Sequence, residues 1–290
     1  MPSTTALEFL ACTVRGCRAP LLRAEQSWQC RNGHSFDIAK SGYVNLLQPQ
    51  DRKSSRAGDP RPALEARARL LDAGIGRDLL TTFIDRAATL ELPAVGAVVD
   101  LGCGGGDLLA GLTERRPLAA AGIDLSVSAI DRAARRYSRL TWLVANADRR
   151  LPIQDASVDL LTAYNGRRNP GDAARVVKPG GYALLAVPAE DDLIELRASI
   201  QGEGIARDRV ETLVAEYDGE FEILERASAR EQHHLPAEAL QDLLTATYRG
   251  ARTSAGAKRD TLTTMTVTLG TEVVLCRRRP APPGRSGRPG

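Results

Sequence analysis

The chain has 290 residues, a formal net charge of +3 and 43% apolar residues, enough for one large domain, or one domain with an appendage, around a true core. No stretch approaches the ~18 consecutive apolar residues of a membrane span. The N-terminus, MPSTTALEFLAC, lacks the basic segment and long apolar run of a secretion signal. Membrane and exported classes are thereby disfavoured, and a cytoplasmic protein is expected. In that setting the five cysteines (12, 17, 30, 103 and 276) read as metal ligands or buried thiols before disulfides. The charge is uneven. Residues 1–61 carry nine Lys/Arg against five Asp/Glu, and the tail 277–290 carries five Arg and no acid. A basic N-terminal segment beside a mildly acidic body suits a local contact with phosphates. The tail reads as a disordered Pro/Gly-rich end.

In chain order, residues 1–48 are turn-rich and hold Cys12-x4-Cys17, then Cys30-x3-His34. Two knuckles of this kind can close a tetrahedral zinc site with three thiolates and an imidazole. Four protein ligands leave no open position, so the role is structural; a segment this short buries little apolar surface, and a metal supplies folding energy. Residues 49–61 are polar and Pro-bounded, a linker. Helical spacing follows over 63–74 and 77–90. From residue 62 to 276 the rhythm is that of an α/β domain. Strands are expected at 97–101, 119–125, 140–145, 158–164 and 181–188, and helices at 106–115, 126–137 and 190–200. This alternation implies a parallel sheet with helices on both faces. Two later runs, 219–229 and 262–276, read as longer antiparallel strands around a helix at 236–246.

The stretch DLGCGGGD (100–107) closes a buried strand and opens a helix. Glycines let the backbone approach a ligand closely, and the helix N-terminus behind them offers free N–H groups. Asp124 ends the next strand, where a carboxylate grips ribose hydroxyls. The nicotinamide pattern G-x-G-x-x-G is not met: Gly stands at 102, 104, 105 and 106, then Asp107. With LPIQDASVDLL (151–161) and RVVKPGG (175–181), the set resembles the class I S-adenosylmethionine (SAM) methyltransferases, a Rossmann-like doubly wound fold. That resemblance implies Gly102 and Gly104 along the methionine part of SAM, Asp100 on the loop or the amino group, and Asp124 on the ribose. Asn146 and Asp148 are both candidates for the adenine edge. Asn165 follows the fourth strand and faces the transfer site. Cys103 reads as a small buried loop residue and Cys276 as core.

The four ligand positions and HSFDIAKSGYVNLL (34–47) resemble one family closely, the RlmA/TlrB type of 23S ribosomal RNA guanine-N1 methyltransferases. Its signature is met by Cys30, His34, Phe36, Asp37, Ala39, Lys40, Gly42, Tyr43, Val44, Asn45, Leu46 and Leu47; Gly58-Asp59, Ala66-Arg67 and Leu71-x-x-Gly74 continue it. The resemblance implies an N-terminal zinc ribbon that grips a large-subunit rRNA hairpin, with Trp28 or Tyr43 available to stack on a base. It implies a SAM domain that methylates guanine N1, for ribosome maturation or macrolide-type resistance. It leaves a homodimer open. Four places depart from the family pattern. Gly74 is followed by Ile75-Gly76 rather than His-Tyr. The loop reads GCGGGD rather than G-C-G-E-G-Y. Gly166-Arg167-Arg168 replaces Ala-Pro-Arg, with Arg168 keeping the family's arginine as a candidate for the base pocket. TATYRGAR (245–252) lacks Met-Thr-Pro. A SAM-dependent enzyme for a small metabolite and a non-catalytic RNA-binding homologue are the alternatives.

Overall fold

The structure, a computed structural model, describes residues 7–49, 58–201, 208–247 and 262–280. Linker residues 50–57, Tyr248 and tail residues 281–290 lie outside the described residues.

The N-terminal module is a three-stranded antiparallel sheet, β1 (Leu21–Arg23), β2 (Ser27–Cys30) and β3 (Ser35–Asp37). The chain then enters the main sheet as β4 (Val44–Asn45), pairing in parallel with a strand about a hundred positions later. Helices α1 (Arg61–Asp72) and α2 (Arg77–Ala88) follow. α1 starts where Pro60 and Pro62 preset the backbone of a first turn. α2 buries Leu79, Phe83, Ile84 and Ala87, one stripe at helical spacing.

The α/β unit runs β5 (Gly96–Leu101), α3 (Asp107–Arg115), β6 (Leu118–Asp124), α4 (Val127–Arg136), β7 (Thr141–Val144), β8 (Val158–Tyr164), α5 (Pro170–Val176) and β9 (Val177–Pro188). It ends with α6 (Ile194–Gln201), α7 (Val210–Tyr217), β10 (Phe221–Leu235), α8 (Ala237–Ala246) and β11 (Met265–Arg278). The sheet order is β10-β11-β9-β8-β5-β6-β7-β4, with β10 and β11 antiparallel and the rest parallel. The strand order reverses at β5, between β6 and β8, and such sheets bind ligands beyond the carboxyl ends of the strands at that point. β5 and β8 are near-continuous apolar runs because both their faces are covered.

The expected strands and helices of the α/β unit are present, with shifted ends. The last parallel strand begins at 177, the helix expected over 190–200 begins at 194, and the strand expected over 219–229 runs on to Leu235. Outside the ribbon's β1–β3, which lie in the stretch read only as turn-rich, three elements had no sequence expectation. α5 and α7 have seven and eight residues, too short for a clear periodic signal. β4 is a two-residue strand whose pairing is wholly non-local.

The ribbon shares the core of the sheet. Leu7, Phe9, Leu10, Trp28, Val44 and Leu46 belong to one buried cluster with Ile123, Leu143, Leu151 and Ile153. Backbone pairing locks the two together: Ala11 N–H donates to the Pro152 carbonyl at 2.9 Å, and Gln154 N–H to that of Phe9 at 2.7 Å. Trp28 is only 5% exposed, opposite Phe36 across β2 and β3. This corrects the expectation of Trp28 as a stacking platform: the ring is spent on packing. Tyr43 is half-buried against the core cluster that holds Trp142.

Candidate functional site

Four ligand atoms converge at the ribbon's tip. The Sγ atoms of Cys12, Cys17 and Cys30 and a ring nitrogen of His34 all lie within 4.8 Å of one another. His34 Nδ1 is 3.5 Å from Cys12 Sγ and 3.4 Å from Cys30 Sγ, and Cys17 and Cys30 are 3.9 Å apart. A tetrahedral zinc with ordinary bond lengths sets its ligands about 3.8 Å apart for S–S and about 3.5 Å for S–N. The donor set fits zinc in both chemistry and spacing, and the predicted quartet is brought together whole. Hydrogen bonds from the Ala19 backbone N–H and then from the Asn32 amide, whose Nδ2 donates to the sulfur at 3.1 Å, lower the pKa of Cys17. That amide orients a ligand from outside the coordination sphere.

The glycine loop sits at the switch point. Gly102 has φ 69°, and a Cβ there would stand 3.0 Å from Gly166 Cα. The loops after β5 and β8 therefore touch backbone to backbone. Gly106 has φ 86°, and a Cβ would stand 2.4 Å from the ring of Trp142, which is buried beneath the loop. A side chain at either position would push the two loops apart or lift the loop off its floor. Beside Gly104 no atom lies within 4 Å of a Cβ position, so the loop borders open space. Cys103 and Cys276 are buried thiols, as expected. Burial pushes the thiol of Cys103 well up and that of Cys276 to about 12, so neither is a nucleophile.

Asp124 ends β6 facing this loop. Its carboxylate accepts the Gly104 N–H at 3.0 Å and the Ser126 N–H at 2.8 Å. Burial nevertheless raises its pKa. Asp100, buried at the end of β5, accepts the Thr162 hydroxyl at 2.7 Å. Burial, with the Asp124 charge adding, pushes it up to about 7. Two desolvated carboxylates beside an open glycine loop suit a ligand carrying hydroxyls and a positive charge, as SAM does. Ser126 Oγ donates to the Asp59 carbonyl at 2.9 Å, and Arg67 pairs with the Asp59 carboxylate. Asn146 and Asp148 form one turn, Asp148 N–H donating to Asn146 Oδ1 at 3.0 Å; Asn146 is buried, while Asp148 faces Arg167 at 3.6 Å.

Asn165 follows β8 with φ 54°, a left-handed conformation that asparagine tolerates. Arg168 sets its guanidinium 3.3 Å from Glu216 on α7. Three groups near Asn165 carry no motif that sequence reasoning could find. Tyr164 at the end of β8 feels the charges of Glu231 on β10 and of Asp192 in the segment after β9. Glu231 sits in an alternating strand, where a charged residue ordinarily reads as solvated.

The fold and site define a class I methyltransferase domain joined to an N-terminal zinc ribbon. The family model described as RlmA, N-terminal, a zinc ribbon, matches residues 11–56, and that of a methyltransferase domain matches 98–181. The chain is 37% identical over 186 residues to the 23S rRNA (guanine(748)-N(1))-methyltransferase of Streptomyces fradiae, covering 62% of this chain and 64% of that one. A Micromonospora griseorubida protein bearing the name 23S rRNA (guanine-N(1)-)-methyltransferase is 34% identical over 209 residues, 66% of this chain and 69% of that one. A Bacillus subtilis protein of the same name is 32% identical over 173 residues, 57% and 59%. The chain belongs to this 23S rRNA guanine-N1-methyltransferase family. Its alignment spans just under two thirds of the length of the Streptomyces relative.

Proposed function

We propose that the protein transfers a methyl group from SAM to N1 of a guanosine in a hairpin of 23S rRNA. The observation that carries this reading is a cavity of about 220 Å³ between the ribbon and the loop after β7, lined by Arg15 and Arg18 from one side and Arg149 and Arg150 from the other. Arg15, Arg18 and Arg149 have no acidic partner among the described residues. Arg150 pairs with Asp155 at 3.0 Å; burial and then the charges of Arg175 and Arg18 lower its pKa. Guanidinium groups crowded this way are relieved by an anion, and a phosphodiester matches their donor geometry. An rRNA backbone seated there would bridge ribbon and sheet.

When bound, SAM supplies the methyl group on a positively charged sulfonium leaving group. Asp124 would hold its ribose, the loop at Gly102 and Gly104 its methionine part, Asp100 its ammonium, and the Asn146–Asp148 turn its adenine. The Asn165 segment faces the acceptor base. The base must leave its stack to reach it. Position and a dry, polar surrounding supply the catalysis.

The reading is tested by incubating the protein with labelled SAM and separated 16S rRNA, 23S rRNA and a small-metabolite extract. Label in 23S rRNA supports it; label only in the extract would favour the metabolite enzyme, and SAM binding without transfer the non-catalytic homologue. Growth in a macrolide-type antibiotic, with and without the protein, separates resistance from maturation.

Two further results are expected. Arg15→Ala with Arg18→Ala should weaken rRNA binding and reduce the slope of log affinity against log salt by about 0.7–0.9 per lost phosphate contact, with SAM affinity unchanged. The second concerns pH. Because the pKa of Asp100 is raised from 3.8 to about 7 in the folded protein, its stabilising contribution is complete below pH 3.8 and is lost as pH rises through about 7. The ammonium of SAM favours the ionised form. SAM affinity should therefore rise between about pH 6 and about pH 8, with proton release seen calorimetrically, and Asp100→Asn should flatten that dependence.

A further inference from the structure

The β10–β11 hairpin does not stop where the parallel sheet stops. The last β9 pair is Thr271 with Pro188, yet β10 and β11 continue for six more register pairs, to Leu235 with Met265. The hairpin thus overhangs the carboxyl ends of β8 and β9, where an acceptor must lie. Glu231 and His233 stand on one face of this overhang, two residues apart. The Glu231 side chain is nine-tenths buried. Its Oε1 receives the Gly76 N–H at the start of α2 and lies 2.9 Å from His233 Nε2. Its Oε2 is buried and has no hydrogen-bond partner among the described residues. A buried carboxylate oxygen with nothing to accept is costly, and such atoms in folded proteins call for an explanation. Nearby, Tyr164 bonds to Thr271 and feels the charges of Glu231 and Asp192, and Asp192 accepts the Gly270 N–H at 3.1 Å. None of these gives Oε2 a proton. Tyr164 leads directly into Asn165 and Gly166, and Gly166 touches the glycine loop at Gly102.

We infer that Glu231 is the proton acceptor for guanine N1, with the Gly76 N–H and His233 holding its other oxygen in place. The inference rests on the function proposed above. The Watson–Crick edge of guanine presents two adjacent donors, N1–H and the exocyclic amine, and an orphan carboxylate oxygen complements N1–H. In the transfer, the bound base takes the place of the groups that cover Oε2, and N1 passes its proton to Oε2 while its electron pair forms the bond to the methyl carbon. The carbon–sulfur pair stays on sulfur, so neutral S-adenosylhomocysteine leaves and Glu231 is left as a neutral carboxylic acid. The proton leaves Oε2 to water once the methylated base departs; His233, 2.9 Å from Oε1 and 27% exposed, bonds to the other oxygen and orients the carboxylate. A positioned general base contributes about 10²–10⁴-fold.

The test is Glu231→Gln, which keeps an acceptor for Gly76. Three quantities are compared with the parent protein: SAM affinity by calorimetry, affinity for 23S rRNA by filter binding, and kcat as a function of pH. We expect both affinities within about threefold and kcat about 100-fold lower or more at neutral pH. The deficit should shrink as pH rises, because guanine N1 then ionises without help. An unchanged kcat, a deficit equal at every pH, or a loss confined to SAM affinity would overturn the assignment. If the glutamine variant does not fold, Glu231→Asp replaces it. It withdraws the carboxylate by one bond and should lower kcat while keeping the parent's pH profile; an unchanged rate would again overturn the assignment. A parent protein that methylates no rRNA would refute the proposed function itself, an outcome distinct from all of these.

Discussion

Cys30→Ser is expected to release the metal and unfold the N-terminal module. The purified parent should hold about one zinc per chain, and the variant none. Structural zinc sites contribute apparent binding free energies of about 10–16 kcal/mol in isolated fingers. The effect should not stay within the ribbon. Trp28, Leu10, Val44 and Leu46 are buried in the same cluster as Ile123 and Leu143, so losing the ribbon uncovers one edge of the main sheet. A chelator should reproduce the variant, lowering the melting temperature by roughly 10 °C or more and abolishing rRNA binding. Zinc-free protein that melts like the parent would show that the quartet is held by packing alone.

Asp124→Ala is expected to weaken SAM binding roughly 100-fold or more, with the fold retained. Hydrogen bonds to a charged group are worth about 1.5–3 kcal/mol each, and a ribose diol offers two. The carboxylate already orders the Gly104 and Ser126 amides at 3.0 and 2.8 Å. The alanine variant therefore also loosens the loop that receives the cofactor, whereas Asp124→Asn keeps an acceptor and should fall between. Burial raises the pKa of Asp124, so the alanine variant relieves a desolvated charge, which offsets part of the cost of the two amides it leaves unpaired. Calorimetric titration with SAM checks the prediction; unchanged affinity in the alanine variant would move the ribose contact elsewhere.

The sequence carried the parts of this molecule that obey local rules. The knuckle spacings at 12, 17, 30 and 34 named a metal quartet whose geometry suits zinc. The glycine run at 102–106 marked the switch point because a strand, a turn and a helix must follow one another there. What escaped is what the chain assembles from a distance. β4 is two residues long, and only its pairing with Leu143 and Val144 makes it a strand. Trp28 reads as a free aromatic until Phe36 and the sheet core close over it. Arg149 and Arg150 sit in an unremarkable polar loop until Arg15 and Arg18 arrive across the cavity. Glu231 carries no motif, and its meaning comes from Gly76, His233 and an empty oxygen. The family departures follow the same division. The loop GCGGGD retains the glycines at 102 and 106 that its close contacts require, whereas Gly76 places only a backbone N–H beside Glu231.

The most direct measurement is reverse transcription of 23S rRNA after treatment with the protein and SAM, read against nucleoside mass spectrometry of the same RNA. An N1-methyl group blocks the pairing edge of guanine, so the account predicts one strong stop in a single hairpin and the appearance of 1-methylguanosine. Methylated rRNA without a stop, or a methylated nucleoside other than 1-methylguanosine, would contradict it.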